Sequence, residues 1–156
     1  MSENFKTRTN NNTKLPTQKF YILIIACSVI IFSASLDVML RVKDAALFNQ
    51  WIETNALVGD ETQLLSHYIS IHLSVFFTKI IIPVLFGIYT YFAYTKLRIN
   101  QLYVFMWTVL NFGGLAYTAI EMNLSSIFYY VSIIGYAVML ITILSLVDLI
   151  RENKSK

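Results

Sequence analysis

Lys79 and Pro83 lie one helical turn apart inside an apolar run, and residues of these two types could together bind an anion or transfer a proton. Lys79 is the only residue with a formal charge between His72 and Tyr94. If this run crosses a bilayer, its ammonium lies near mid-depth, where a charge is expensive and needs a specific partner. Pro83 has no N–H, so within a helix the carbonyl of Lys79 loses its usual donor. The pair predicts a buried cation beside a freed acceptor, able to bind an anion or carboxylate or to relay a proton.

Polar side chains on this run and on the next one are the candidate binding residues. A contact between Lys79 and Asn111 is the sharpest structural prediction, because a short turn at 96–101 makes the two helices antiparallel neighbours and an amide oxygen accepts from an ammonium. The alternative is that Asn111 bonds to a different helix and only holds the helices together. The candidate residues for binding a ligand or partner are Lys79, Asn111, His72, Pro83, Trp107 and Thr118.

A second group of residues has the types that bind a transition metal. The group consists of His67, His72, Asp37 and Glu121, and imidazole and carboxylate are both zinc ligands. The two histidines are five residues apart, about 140° around a helix, so they face in different directions. Asp37 is also four residues from Arg41 and can pair with it instead.

Catalytic and cofactor motifs are absent from the sequence. It contains no GxGxxG, Walker loop, GxSxG, HExxH or CxxC pattern, and these are the short motifs that carry a known mechanism. We therefore assign no catalytic residue and expect no cofactor.

The composition places these residues in a membrane protein. The chain is 56% hydrophobic and 13% charged, whereas a soluble domain has about 25% charged residues. Its net charge of +3 does not indicate nucleic acid, because the basic residues lie in short segments beside apolar runs. Four of these runs are long enough to cross the bilayer, at about 20–40, 67–95, 102–120 and 127–150.

These runs predict an all-α, polytopic bundle of four transmembrane helices. Residues 1–18 are expected to be a disordered tail, residues 19–150 the transmembrane domain and residues 151–156 a second tail. In the 41–66 loop, Leu47, Phe48, Trp51 and Ile52 share one helical face behind a candidate N-cap, Asp44. A short amphipathic helix there lies flat at the membrane interface or packs on the protein's own surface.

The positions of the basic residues predict the orientation. Four lie before the first run, two in the 96–100 turn and three after the last run, which makes nine of the twelve on one side. Short cytoplasmic segments carry an excess of Lys and Arg. We therefore expect a multi-pass cell-membrane protein whose termini are both cytoplasmic and whose 41–66 loop is extracytoplasmic.

Three functions fit these observations. The first is a small subunit or interaction partner of a larger membrane complex, bound to another membrane protein or to itself. The second is an oligomeric transporter or channel whose path is lined by Lys79 and Asn111. The third is a membrane-embedded enzyme that uses the His and carboxylate groups of the 41–66 side. In each case the lipid bilayer is a partner and nucleic acid is not.

Overall fold

Four of the five helices in the structure are long and apolar enough to cross a membrane. The computed structural model describes residues 14–121 and 126–155. In chain order the helices are α1 (Thr17–Lys43), α2 (Ala45–Thr54), α3 (Glu61–Thr95), α4 (Gln101–Ile120) and α5 (Ile127–Ser155). The four candidate spans are α1, α3, α4 and α5. The predicted all-α, four-helix membrane architecture is confirmed.

The helices run alternately up and down, so the bundle has two distinct ends. At one end Lys19 Nζ donates to Ser145 Oγ at 2.7 Å; we call this the terminal end, because α1 starts and α5 finishes there. At the other end Ser126 Oγ donates to Asp37 Oδ1 at 3.1 Å; this is the loop end. α1 packs against α3 and α5, α4 packs against α5, and contacts between α3 and α4 are sparser.

A close approach of α1 and α5 forms the centre of the core. A Cβ on Gly135 would lie 2.5 Å from Cγ1 of Ile30, so only glycine allows α5 this near to α1. Small residues permit such approaches between membrane helices. Large apolar side chains that are completely buried fill the rest of the core: Leu23, Phe86, Met139, Ile143 and Leu146.

The helices extend beyond the apolar runs at several ends. α1 begins at Thr17, within the predicted tail, behind Pro16, whose carbonyl accepts from Phe20 N. Residues 1–13 lie outside the described part of the chain. α5 continues to Ser155 through most of the predicted second tail. α3 begins at Glu61 rather than at residue 67, because its first turns are polar and hydropathy does not mark them.

α3 is much longer than α4. Its 35 residues measure about 52 Å, whereas the 20 residues of α4 measure about 30 Å. Even a tilt of about 40°, the upper end for membrane helices, leaves α3 spanning about 40 Å along the bilayer normal. A short turn joins α3 to α4 at the terminal end, so the excess length projects at the loop end.

The short helix α2 packs on the surface of the protein itself. Asp44 caps it, since its carboxylate accepts from the backbone N–H groups of Ala46 and Leu47, as the sequence predicts. The rings of Phe48 and Trp51 lie 5.4 and 5.3 Å from the ring of Tyr68 on α3. The structure therefore shows α2 packed on the protein's own surface, and the placement at the membrane interface stays a prediction.

Candidate functional site

Four charged side chains meet at the loop end. Lys79 Nζ lies 2.6 Å from Glu121 Oε2 and 3.6 Å from Asp37 Oδ2. Arg41 Nε lies 3.1 Å from the same Asp37 oxygen, so the predicted Asp37–Arg41 pair is present. We call Asp37, Arg41, Lys79 and Glu121 the charge cluster. Its two cations and two carboxylates sum to zero formal charge.

Three helices supply the charge cluster, and local geometry directs each side chain. Asp37 and Arg41 are one turn apart near the end of α1, and Glu121 is the C-cap of α4. Helical side chains lean toward the N-terminus of their helix. The stem of Lys79 therefore leans toward the loop end, where α3 begins. The cluster fastens α1, α3 and α4 together at that end.

The position of Lys79 along the bundle differs from the sequence prediction. Sixteen residues separate it from Thr95, where α3 ends, a rise of about 24 Å. Its partner Glu121 lies about 30 Å from the start of α4. The ammonium thus lies at the loop end of the four-helix region, whereas the sequence predicted a position near mid-depth.

The carbonyl freed by Pro83 has a partner on another helix. Tyr136 of α5 donates its hydroxyl to the carbonyl oxygen of Lys79 at 3.3 Å. Gly114 of α4 leaves room for this phenol, because a Cβ there would lie 2.7 Å from the Tyr136 ring. The carbonyl that Pro83 frees thus has a donor on another helix, and Tyr136 is a site residue that the sequence analysis missed. Its position ten residues into α5, away from the interfacial belts where Tyr gathers, is the signal that could have found it.

Asn111 does not contact Lys79, so that prediction is wrong. Its Nδ2 donates to the carbonyl of Trp107 at 2.7 Å, within its own helix. Its Oδ1 is buried and has no hydrogen-bond partner among the described residues. Lys79 instead pairs with carboxylates at helix ends, because an ion pair there satisfies the charge better than one amide oxygen does.

The remaining predicted site residues have different surroundings. His72 borders the charge cluster, and its ring lies edge-on to that of Tyr68 at 4.3 Å. Thr118 donates to the carbonyl of Gly114 in its own helix at 2.9 Å, and it lines a second, smaller cavity beside the cluster. Trp107 is buried against Phe86, with ring centroids 4.9 Å apart.

The predicted metal site does not form. His67 lies beside Trp51, 5.9 Å between ring centroids, whereas His72 borders the charge cluster. Within residues 14–121 and 126–155, no three His, Cys, Asp or Glu side chains stand close enough to hold a metal ion. Of the two histidines, only His72 shares a cavity with the carboxylates of Asp37 and Glu121.

A cavity of about 100 Å³ with charged and apolar walls opens beside the charge cluster. His72 and all four residues of the cluster line it, with apolar side chains of α1 and α3 completing the wall. The side chains of Asp37 and Lys79 are 13% and 17% exposed, so the ion pairs are mostly buried and keep a small exposed area. A space of this size with charged walls admits water molecules or a small ion.

The buried face of α4 is polar along almost its whole length. Five of its six buried residues are Tyr103, Trp107, Asn111, Gly114 and Thr118, and only Val104 is aliphatic. All five lie within about 80° of arc, and Glu121 continues their face at the loop end. Toward the terminal end, Tyr103 and Thr90 of α3 share a hydrogen bond of 3.2 Å between their hydroxyl oxygens. We call this surface the polar face of α4.

Comparison with known proteins adds no relative. No protein family, no curated protein sequence and no solved structure matches the chain.

Proposed function

We propose that this protein is a small membrane subunit that docks a transmembrane helix of another membrane protein, or of a second copy, against α3. The observation that carries the proposal is the low burial of that helix. Only 11% of its most apolar 18-residue window is buried, against 33–39% in the other three spans. α3 packs against α1, yet its most apolar stretch leaves most of its surface available for a partner.

A row of small hydroxyl residues on α3 suits close helix docking. Ser70, Ser74 and Thr78 each donate to the carbonyl four residues earlier, at 2.8, 2.8 and 2.9 Å. With Ser66 they form what we call the hydroxyl stripe, which is exposed. By helical angle it lies opposite the face that carries Lys79. Small residues at every fourth position let two membrane helices approach closely. Because the stripe lies in the half of α3 that includes the projecting turns, the partner helix must also extend to the loop end.

The charge cluster is less suited to docking. Lys79 already has two carboxylate partners within the chain, so no partner is needed to neutralise it. This moves the proposed contact from Lys79 to the opposite face of α3. We further propose that the protein resides in the cell membrane with both termini in the cytoplasm, because nine of the twelve basic residues lie, in the sequence, before the first apolar run, in the 96–100 turn or after the last run.

The test compares two sets of serine substitutions in gentle detergent or nanodiscs. S70L with S74L fills the hydroxyl stripe, and we expect native mass spectrometry to show loss of a stoichiometric partner. S28L is the matched control, because Ser28 is exposed on α1 and makes the same backbone bond, to Ile24. A parent protein that runs as a lone monomer, or a complex that survives S70L with S74L, contradicts the proposal.

A transporter is the second candidate, favoured by the cavity that reaches Lys79 and by the polar face of α4. A polar lining along one helix is what a path for protons or small ions requires. The large apolar side chains of the core, Phe86 and Met139 among them, close the described bundle toward the terminal end. A path through this chain therefore needs a second conformation or an oligomer.

Flux in proteoliposomes tests the transporter candidate. Proton and chloride fluxes are measured with reconstituted parent protein and with K79M, at matched protein content. Loss of flux in K79M with unchanged reconstitution supports transport. Absence of flux above empty liposomes in the parent removes this candidate and leaves the subunit proposal intact.

A further inference from the structure

Three polar atoms on α4 are buried without a hydrogen-bond partner among the described residues. They are the indole nitrogen of Trp107, the hydroxyl of Thr108 and the amide oxygen of Asn111. The side chains of Trp107 and Asn111 are themselves almost completely buried, at 4% and 0% exposure. A buried donor or acceptor without a partner is costly, and nearly all such groups in proteins are satisfied by protein or water.

The three atoms lie on one patch of the helix. Trp107 and Asn111 are four residues apart and Thr108 and Asn111 three apart, the spacings at which helical side chains are neighbours. The orientation of the Asn111 amide is fixed, because its Nδ2 donates to the Trp107 carbonyl. Exchanging its nitrogen and oxygen would set two acceptors against each other.

The chemistry of the patch defines what can bind there. The indole offers one donor, the amide oxygen is an acceptor, and the hydroxyl is both. A ligand must therefore accept from Trp107 and donate to Asn111 while it fits between packed helices. Water meets all of these requirements, and internal waters typically make about three hydrogen bonds to buried polar groups. No charge on the patch calls for an ion.

We infer that Trp107, Thr108 and Asn111 form an internal water-binding site between α3 and α4. The ring of Trp107 packs against Phe86 and Tyr89 of α3, and direct packing between α3 and α4 is otherwise sparse, so water bound at the indole adds contacts between them. The site also extends the polar face of α4 from the Tyr103–Thr90 bond toward Tyr136 and the charge cluster. The inference is independent of the docking surface on α3 and holds for either candidate function.

X-ray radiolytic labelling of the full-length protein in nanodiscs tests the site. Radicals formed from bound water oxidise adjacent side chains even in a buried core. We expect oxidation of Trp107 and of its neighbour Phe86, which is fully buried. Met139 is equally buried and intrinsically more reactive, yet we expect it to be spared. Protection of Trp107 to the same degree as Met139 overturns the inference.

Variants connect the labelling to the three residues. N111L removes the acceptor, and we expect it to reduce Trp107 oxidation several-fold; T108V removes one ligand and serves if N111L does not fold. T142V is the matched control, because Thr142 is buried and bonds only to its own helix, at Val138; its labelling is expected to equal the parent's. Unchanged Trp107 oxidation in both N111L and T108V would mean that water enters elsewhere, and would refute the site.

Discussion

Lys79 has separate partners for its side chain and its main chain. Glu121 and Asp37 neutralise the ammonium, and Tyr136 donates to the carbonyl. These partners come from α4, α1 and α5, so each of the other candidate spans contributes one. The residue is therefore a junction of the bundle, whatever its part in binding.

Replacement of Lys79 tests the charge cluster. K79M leaves Glu121 without a cation and Asp37 with Arg41 as its one cationic partner. The free energy of unfolding should fall by about 1–3 kcal/mol, between the values for exposed and buried pairs. Reversible unfolding by denaturing detergent measures it. K79M with E121Q should recover most of the loss, and K43M, at an exposed position of α1, should cost little. An unchanged K79M would show that the cluster contributes no stability.

The adjacent glycines of α4 provide a matched pair of substitutions. G114A places a methyl group 2.7 Å from the Tyr136 ring, and displacement of the phenol should cost about 1–3 kcal/mol, as overpacking does. Around Gly113 a Cβ would meet nothing within 4 Å, so G113A should be neutral or gain up to about 1 kcal/mol of helix propensity. Thermal unfolding of both variants compares them, and equal effects would contradict the close approach.

Sequence reasoning at this scale found the groups in need of partners more readily than the partners. Pro83 alone predicts the free carbonyl, since that follows from covalent structure. The identity of its donor, Tyr136, depends on how α5 is rotated, which no local pattern sets. The sequence pairs Lys79 with Asn111 because the short turn at 96–101 makes their helices neighbours, but this does not set which side chains meet. Glu121 lies just beyond the predicted 102–120 run, and the sequence indicates it only as a metal ligand, although the end of α4 brings its carboxylate to the ammonium.

At the scale of the helices, periodicity and hydropathy predicted which segments are helical better than where they end. The spans α4 and α5 start within one residue of their predicted positions. α3 starts six residues early, because Glu61, Thr62 and Gln63 are polar but remain helical. Its extra turns carry Ser66, so hydropathy alone does not reveal the full length of the hydroxyl stripe.

The caps of α2 and α3 offer a test of local helix stability. D44A removes the carboxylate that accepts from two backbone N–H groups of α2, and about 1 kcal/mol of local stability should be lost. Hydrogen exchange of the α2 amides should accelerate several-fold. D60A is the control, because Asp60 is the N-cap of α3 but makes no side-chain capping bond. Equal acceleration at both helices would argue against the Asp44 cap.

For the whole molecule, the even number of spans and the charge distribution agree. The structure brings the start of α1 and the end of α5 to the same end of the bundle. In the sequence, the basic segments adjoin these two helix ends. Which side of the membrane this end faces rests on charge statistics alone.

Labelling of single cysteines tests that orientation. Cys27 is the only cysteine and is buried, so C27S provides a silent background. An impermeant maleimide should modify E53C, on exposed α2, in intact cells, and K96C, at the terminal end, only after permeabilisation. The reverse pattern would invert the proposed orientation, and modification of both in intact cells would contradict an up-and-down bundle.

The unequal lengths of α3 and α4 have a consequence for the surrounding lipid. The hydrocarbon core beside α4 can be no thicker than about 30 Å without mismatch, whereas beside α3 it is free to thicken; mismatch costs fractions of a kcal/mol per Å. The bilayer around the protein is therefore uneven in thickness, thinner beside α4 and thicker beside α3. Where membranes differ in thickness, we expect the protein to be enriched in the thinner ones. We also expect it to associate through α4 with membrane proteins whose hydrophobic spans are equally short.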